Sequence, residues 1–223
     1  MSDVYSKEIT EKFLIKYSDL EKIKDSPEYV GFCKHYSERI DNIRKIRNLA
    51  THASQNGSRP FLISSYVLQD LEDLLLKAET KCFDVGVKKS SIVFAKEDDS
   101  ISSAIKRMAE ENFTYLPILN KDFKLIGVIS ETALVNIMYK LNGEFIYDET
   151  VKVKDVIEDF LIDNNPNEYY LFRAKNDLFE EVHNQAEQGR KGKRFGACFV
   201  TESGKSSESI LSMFTIWDMI YVK

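Results

Sequence analysis

The strongest constraint on this chain is an order of secondary structure that its sequence carries twice. In the first copy, a strand pattern precedes a helix that Ser100 begins, two further strands and a second helix. The second copy repeats this order, and Lys96–Ile101 aligns with Ala174–Phe179. The predicted strands are Ser91–Ala95, Thr114–Leu119, Lys124–Ser130, Tyr169–Arg173, Gly196–Thr201 and Ile210–Phe214. We therefore expect an α+β fold in which a helical region is followed by two β-α-β-β-α units.

The second copy ends in a pattern that suits a ribose or a polyphosphate. Thr215 supplies a hydroxyl at the end of a strand, and Asp218 supplies a carboxylate three residues later, in the predicted helix Trp217–Val222. The first N–H groups of a helix attract anions, and a carboxylate can accept from two ribose hydroxyls. Arg194 adds cationic charge nearby. The pattern predicts a nucleotide-binding edge, with the alternative that Thr215 and Asp218 only cap the helix.

The motifs of the two copies resemble a tandem pair of CBS domains over roughly Gly86–Lys223. The resemblance rests on four stretches, Tyr115–Asn120, Leu125–Ser130, Arg194–Thr201 and Phe214–Ile220. Such pairs fold with pseudo-twofold symmetry and often dimerise through their helices. They bind adenine nucleotides or related adenosyl ligands in clefts between the copies, so the resemblance implies AMP, ADP, ATP or a related ligand and no required cofactor.

The resemblance also implies which residues would touch the ligand. Thr215 would contact phosphate or ribose, Asp218 the ribose hydroxyls, and the backbone of Gly196–Cys198 the base. The complete set of candidates is Ser130, Arg194, Gly196, Ala197, Cys198, Thr215, Trp217 and Asp218. The first copy departs from the pattern, because Ser130 supplies the hydroxyl but Ala133 stands where the aspartate is expected. An alanine cannot accept from a ribose, so we expect this cleft to be weaker, empty or differently used.

A second resemblance lies in the helical region, where Lys7–Ala78 is predicted to form three helices. Arg47, Asn48 and His52 resemble the Arg-Asn-x-x-x-His signature of HEPN domains, several of which cleave RNA as dimers. In that interpretation His52 is the general acid or base and Arg47 stabilises charge on the phosphorus. The alternative is that Arg47 bridges helices to a carboxylate such as Glu72.

The composition is that of a globular protein, and its cysteine content fits a reducing compartment. It carries a net charge of −5, which argues against nucleic-acid binding driven by overall charge. Its three cysteines are isolated, which favours neither a disulfide framework nor a zinc site. We find no apolar run of membrane-spanning length and no signal-peptide pattern, and therefore expect a cytoplasmic protein.

These observations predict three domains and a regulatory function. The expected domains are a helical region at 1–84 and CBS domains at 85–148 and 149–223. The expected function is a homodimeric sensor that binds an adenine nucleotide and signals through the helical region to a protein partner. The alternatives are a HEPN-type ribonuclease gated by the CBS pair, with RNA as its substrate, and a dimerisation module without a ligand.

Overall fold

The computed structural model describes residues 6–51, 61–140, 149–190 and 192–221. Helices and strands are both present, and the chain divides into two compact units, Met1–Thr80 and Lys81–Lys223.

Helices dominate the first unit. They are α1 (Lys7–Asp25), α2 (Val30–His35), α3 (Ser37–Thr51) and α4 (Ser65–Glu79). Ser6 begins α1, because its hydroxyl accepts a hydrogen bond from the N–H of Ile9 at 3.0 Å. α1 packs against α3 and α4, and the core of the unit includes the buried side chains of Phe13, Leu20, Ile43, Leu71 and Leu74.

Two details of the predicted helices are wrong. The pattern predicts one helix over Tyr29–Ala50, but the structure divides it at Tyr36, whose backbone leaves helical geometry at φ −94° and ψ 19°. At this break the centroid of the Tyr36 ring lies 4.9 Å from that of the Phe32 ring and 4.6 Å from that of the His35 ring. Ile15, which the spacing places on the core face of α1, has 69% of its surface exposed.

The second unit contains the remaining elements. In its first part these are α5 (Cys82–Val85), β1 (Val87–Lys88), α6 (Ile101–Glu111), β2 (Tyr115–Leu119), β3 (Leu125–Ser130) and α7 (Glu131–Lys140). The later elements are β4 (Glu168–Ala174), α8 (Phe179–Gln188), β5 (Arg194–Thr201), β6 (Ser212–Thr215) and α9 (Ile216–Tyr221). Ser100 begins α6 as predicted, since its hydroxyl accepts from the N–H of Ser103 at 3.1 Å.

The predicted strand Ser91–Ala95 is reduced to a single paired residue. Ala95 bridges Ile118 of β2 in parallel, whereas Lys89 donates its N–H to the carbonyl of Leu211 at 2.8 Å. The segment between these residues therefore crosses from one sheet to the other, and most of it cannot pair with β2.

The strands form two sheets with related pairing. β2 and β3 form an antiparallel hairpin, to which Ala95 adds its parallel bridge. The other sheet has the order β1-β6-β5-β4, in which β4 is parallel to β5 and the remaining neighbours are antiparallel. Each half of the unit thus has a parallel pairing followed by an antiparallel hairpin. The pseudo-twofold arrangement of two repeats stays a prediction.

One buried cluster joins the two halves of this unit. It contains side chains from both hairpins, among them Leu119, Val128, Ala197 and Phe199. The packing is tight at Gly127, where an added Cβ would lie 2.6 Å from the carbonyl oxygen of Phe160. The N–H of Val128 donates to that same oxygen at 2.8 Å. Glycine is therefore needed for the close approach of this backbone.

Candidate functional site

A cavity of about 280 Å³ opens at the end of β6, near the lower limit for a small-molecule site. Its wall combines residues from 87–93, 112–115 and 213–218, so distant parts of the second unit meet there. The lining residues are Val87, Ser91, Ile92, Val93, Asn112, Phe113, Thr114, Tyr115, Met213, Thr215, Trp217 and Asp218. Apolar side chains thus face a small number of hydroxyl, amide and carboxylate groups.

Thr215 and Asp218 form the polar centre of this cavity. Thr215 ends β6, and Asp218 lies in the first turn of α9. The Asp218 Oδ2 atom accepts from the N–H of Thr215 at 2.7 Å and from its hydroxyl at 3.0 Å. Both bonds end on Oδ2, so this cap does not use Oδ1. The carboxylate therefore caps the start of the helix, and no described residue donates a hydrogen bond to its Oδ1 atom, which can accept from a hydroxyl.

Trp217 supplies an aromatic surface beside this polar pair. Its side chain lines the cavity although 56% of its surface is exposed. Such an exposed indole can stack on a flat heterocycle without displacing any core side chain. Together with Ile92 and Phe113, it gives the cavity the apolar faces that a purine requires.

A second polar cluster surrounds Glu168, the first residue of β4. Only 1% of this residue is exposed, and its carboxylate accepts hydrogen bonds from five side chains. Oε2 accepts at 2.7 to 3.1 Å, and the donors are Ser130, Asn165 and Tyr170. Oε1 accepts at 3.3 Å, and the donors are Tyr115 and Arg194. A buried carboxylate with this many donors is a satisfied structural group.

The Glu168 cluster shares one residue with the cavity. The ring of Tyr115 lines the cavity, while its hydroxyl donates to Glu168. Burial, followed by the charge of Glu168, raises the pKa of Tyr115 to about 12. The same two causes raise the pKa of Tyr170 above its ordinary value. Both phenols are therefore neutral donors at neutral pH.

The predicted nucleotide-binding residues fall into three places. Thr215, Trp217 and Asp218 line the cavity together. Ser130 and Arg194 belong to the Glu168 cluster, where Arg194 also donates to the hydroxyl of Thr132. Arg194 thus pairs with Glu168 and is not among the residues that line the cavity.

The other three candidates lie in the middle of β5. Ala197 and Cys198 pair with β6, and Ala197 is in register with Thr215. A Cβ at Gly196 would lie 2.6 Å from the ring of Tyr170, so this glycine admits a neighbouring side chain. Burial raises the pKa of the Cys198 thiol well above its ordinary value. These three residues are buried within β5, and none of them lines the cavity.

The residues of the HEPN-like motif are only partly described, because His52 lies outside the described ranges. The guanidinium carbon of Arg47 lies 5.3 Å from the centre of the Tyr17 ring, and Nη2 lies 3.8 Å from a carboxylate oxygen of Glu21. Nη1 donates to the side chain of Asn48 at 3.2 Å. Arg47 therefore bridges helices as the structural alternative expects, but to Glu21 rather than to Glu72.

Sequence reasoning missed the Glu168 cluster and most of the cavity wall. A signal for Glu168 exists, because an acidic residue directly precedes the strand pattern Tyr169–Arg173.

In the described part of the chain, no group of three His, Cys, Asp or Glu residues could hold a metal ion. Among those same residues, no helix is long and apolar enough to span a membrane.

Two solved structures of CBS-domain proteins are similar to this chain at low sequence identity. The protein CBSX2 in complex with AMP is 17% identical, with a TM-score of 0.44, over 63% of this chain and 92% of that one. The CBS domain of a bacterial CNNM/CorC family Mg²⁺ transporter in complex with ATP is 13% identical, with a TM-score of 0.47, over 67% and 91%.

A curated relative and a family model match parts of the sequence. The carnitine transport ATP-binding protein OpuCA of Listeria monocytogenes is 24% identical over 70 residues, which is 31% of this chain and 18% of that protein. The chain therefore spans less than a fifth of the length of this relative. The family model described as CBS domain matches residues 84–140. Residues 84–140 are therefore similar to a CBS domain.

Proposed function

We propose that this chain is a regulatory protein that binds an adenine nucleotide or a related adenosyl ligand in the cavity at the end of β6. The observation that carries the proposal is the pairing of Thr215 with Asp218 inside a cavity that Trp217 and apolar side chains enclose. The family match at 84–140 supports it, because several lining residues, from Val87 to Tyr115, belong to the matched segment.

The chemistry of the cavity assigns a part of the ligand to each group. Asp218 accepts from the ribose hydroxyls through Oδ1, the oxygen that the helix cap does not use. Thr215 accepts from a ribose hydroxyl through its own hydroxyl oxygen, because its single O–H is donated to Asp218. The base lies between Trp217 and the apolar wall formed by Ile92 and Phe113.

The test is the thermal stability of the full chain with adenosine, AMP, ADP and ATP. A ligand that binds only the folded state raises the melting temperature, and Asp218→Asn should abolish the increase. Asp177→Asn is the matched control, because Asp177 accepts from the N–H of Ala174 at 2.9 Å in the same three-residue spacing and does not line the cavity. If none of the probes stabilises the wild-type chain, or if both variants respond equally, the proposal is wrong.

We further propose a homodimer that uses apolar side chains on α7 and α9. Exposed large apolar residues occur on both helices, and they are Val135, Met138, Tyr139, Ile216 and Ile220. Several large apolar side chains exposed on one helix favour an interaction site over scattered surface residues. Light scattering tests the homodimer by measuring the molar mass of the wild-type chain and of the double variant Val135→Lys/Ile220→Lys. We expect a dimer for the wild type and a monomer for the double variant. A dimer that binds no adenine probe would favour the ligand-free dimerisation module.

Signalling from the CBS region to the helical region is the final part of the proposal. The proposed domains are 1–84, 85–148 and 149–223, with an unidentified protein partner that senses the helical region. Amide hydrogen exchange with and without AMP tests the signal, and protection should change within Lys7–Thr51 as well as near the cavity. A change confined to the second unit would contradict signalling while leaving nucleotide binding intact.

The ribonuclease alternative stays a prediction. It requires Arg47 and His52 to act together on RNA, whereas the guanidinium of Arg47 contacts Tyr17 and Glu21. Incubation of purified chain with RNA, beside His52→Ala and Arg47→Ala, decides it. Activity that is lost in both variants would favour the ribonuclease.

A further inference from the structure

Ser130 and Thr215 occupy matching places in their two halves of the second unit. Each ends the second strand of an antiparallel hairpin, and a helix begins at the next residue. The carboxylate that accepts from Thr215 belongs to Asp218, which lies three residues later in the first turn of α9. The residue three positions after Ser130 is Ala133, which has no acceptor in its side chain.

Glu168 supplies the carboxylate that is missing at Ser130. The Ser130 hydroxyl donates to Glu168 Oε2 at 2.7 Å and accepts from the N–H of Ala133 at 3.1 Å. Asp218 uses one oxygen for its cap and is partly exposed, whereas Glu168 uses both oxygens and is 1% exposed. The same hydroxyl-carboxylate pair is thus open at Thr215 and enclosed at Ser130.

A ligand that entered at Ser130 would have to displace this arrangement. Ser130 is fully buried, and its hydroxyl is already engaged both as donor and as acceptor. Separating Glu168 from its five donors would leave an uncompensated buried charge, and phosphates would bring a charge of the same sign. The guanidinium of Arg194, which could bind a phosphate, is turned to Glu168 and Thr132.

We infer that Glu168 closes the Ser130 cleft to nucleotides, so each chain holds one ligand, in the cavity at Asp218. This inference rests on the proposed function, because it states how many of the two clefts that function uses. Glu168 acts as a built-in anion that replaces a bound ligand on the Ser130 side. Glu168 therefore determines how many ligands each chain binds, and it does not determine how tightly the ligand binds beside Asp218.

The experiment is calorimetric titration of the full chain with AMP and, separately, with ATP. We expect one binding site per chain, a loss of binding of at least about tenfold in Asp218→Ala, and a dissociation constant changed less than about twofold in Ser130→Ala. Thermal unfolding and far-UV circular dichroism confirm that both variants are folded before titration.

Different outcomes separate the failure of this inference from that of the proposed function. Two sites per chain, or binding that survives Asp218→Ala and disappears when Ser130→Ala is added, would overturn the closure by Glu168 and leave nucleotide binding intact. A wild-type chain that binds neither probe would overturn nucleotide binding and the single-site stoichiometry together.

Discussion

Replacing Glu168 tests whether the buried carboxylate holds the second unit together. Glu168→Ala removes the acceptor of five side chains. Ser130 and Asn165 are 0% and 5% exposed, and each orphaned buried donor costs about 1–3 kcal/mol. Arg194 adds little, because 68% of its side chain is exposed and its charge returns to water. We therefore expect the free energy of unfolding to fall by about 4 kcal/mol.

Glu168→Gln keeps the shape of the side chain but removes its negative charge, so it shows how much of the stability depends on the charge. The amide keeps one accepting oxygen but presents an N–H₂ group to donors on the other side, so we expect about half of that loss, about 2 kcal/mol. The control is Glu202→Gln, since Glu202 forms an exposed ion pair with Lys175 at 2.5 Å, and its removal should leave the free energy of unfolding unchanged within error.

Chemical unfolding followed by Trp217 fluorescence is the appropriate assay. Trp217 is the only tryptophan of the chain and lies in the second unit, so its signal reports on the unit that contains Glu168. The reasoning is refuted if Glu168→Ala costs less than about 1 kcal/mol, or if it costs no more than Glu202→Gln.

Three further predictions concern residues of the same unit. The phenol of Tyr115 should titrate near pH 12 in NMR spectra of ring-labelled tyrosine, with its signal assigned from Tyr115→Phe, and Glu168→Gln should move this pKa toward 10 without reaching it, because burial is the larger cause. Since the folded state holds this proton more tightly, stability should fall as the pH rises above 10, and a Tyr115 signal that titrates near 10 in the wild type would contradict the buried environment. Gly127→Ala should lower the free energy of unfolding by about 1–3 kcal/mol, because its Cβ would meet the Phe160 carbonyl at 2.6 Å, and an unchanged denaturation midpoint would exclude this contact. Ser212→Ala should raise the melting temperature, because the Ser212 hydroxyl is buried and has no hydrogen-bond partner among the described residues, and a lower value would show that the hydroxyl is satisfied.

The features that sequence patterns predicted well are local ones. The cap at Ser100 and the spacing of Thr215 and Asp218 depend on residues three positions apart, which the sequence shows directly. The elements of both hairpins are likewise close to their predicted bounds, because apolar runs between turn residues determine them.

The features that escaped prediction depend on residues far apart in the chain. Glu168 is 38 positions from Ser130, and only the fold brings the two side chains together. The strand predicted at Ser91–Ala95 shortens because the chain crosses between sheets there, which no local pattern records. Cationic charge predicts Arg194 as a ligand contact, but its pairing with Glu168, 26 positions away, is visible only in the fold.

The central claim, that an adenine ligand binds beside Asp218, is tested most directly by the emission of Trp217. This indole lines the cavity and is the only one in the chain, so its fluorescence responds to a ligand at that place. Titration with AMP and with ATP should give a saturable change in the wild type and in Asp177→Asn, and no change in Asp218→Asn. An unchanged emission in the wild type with both probes, or an equal response in Asp218→Asn, would contradict the claim.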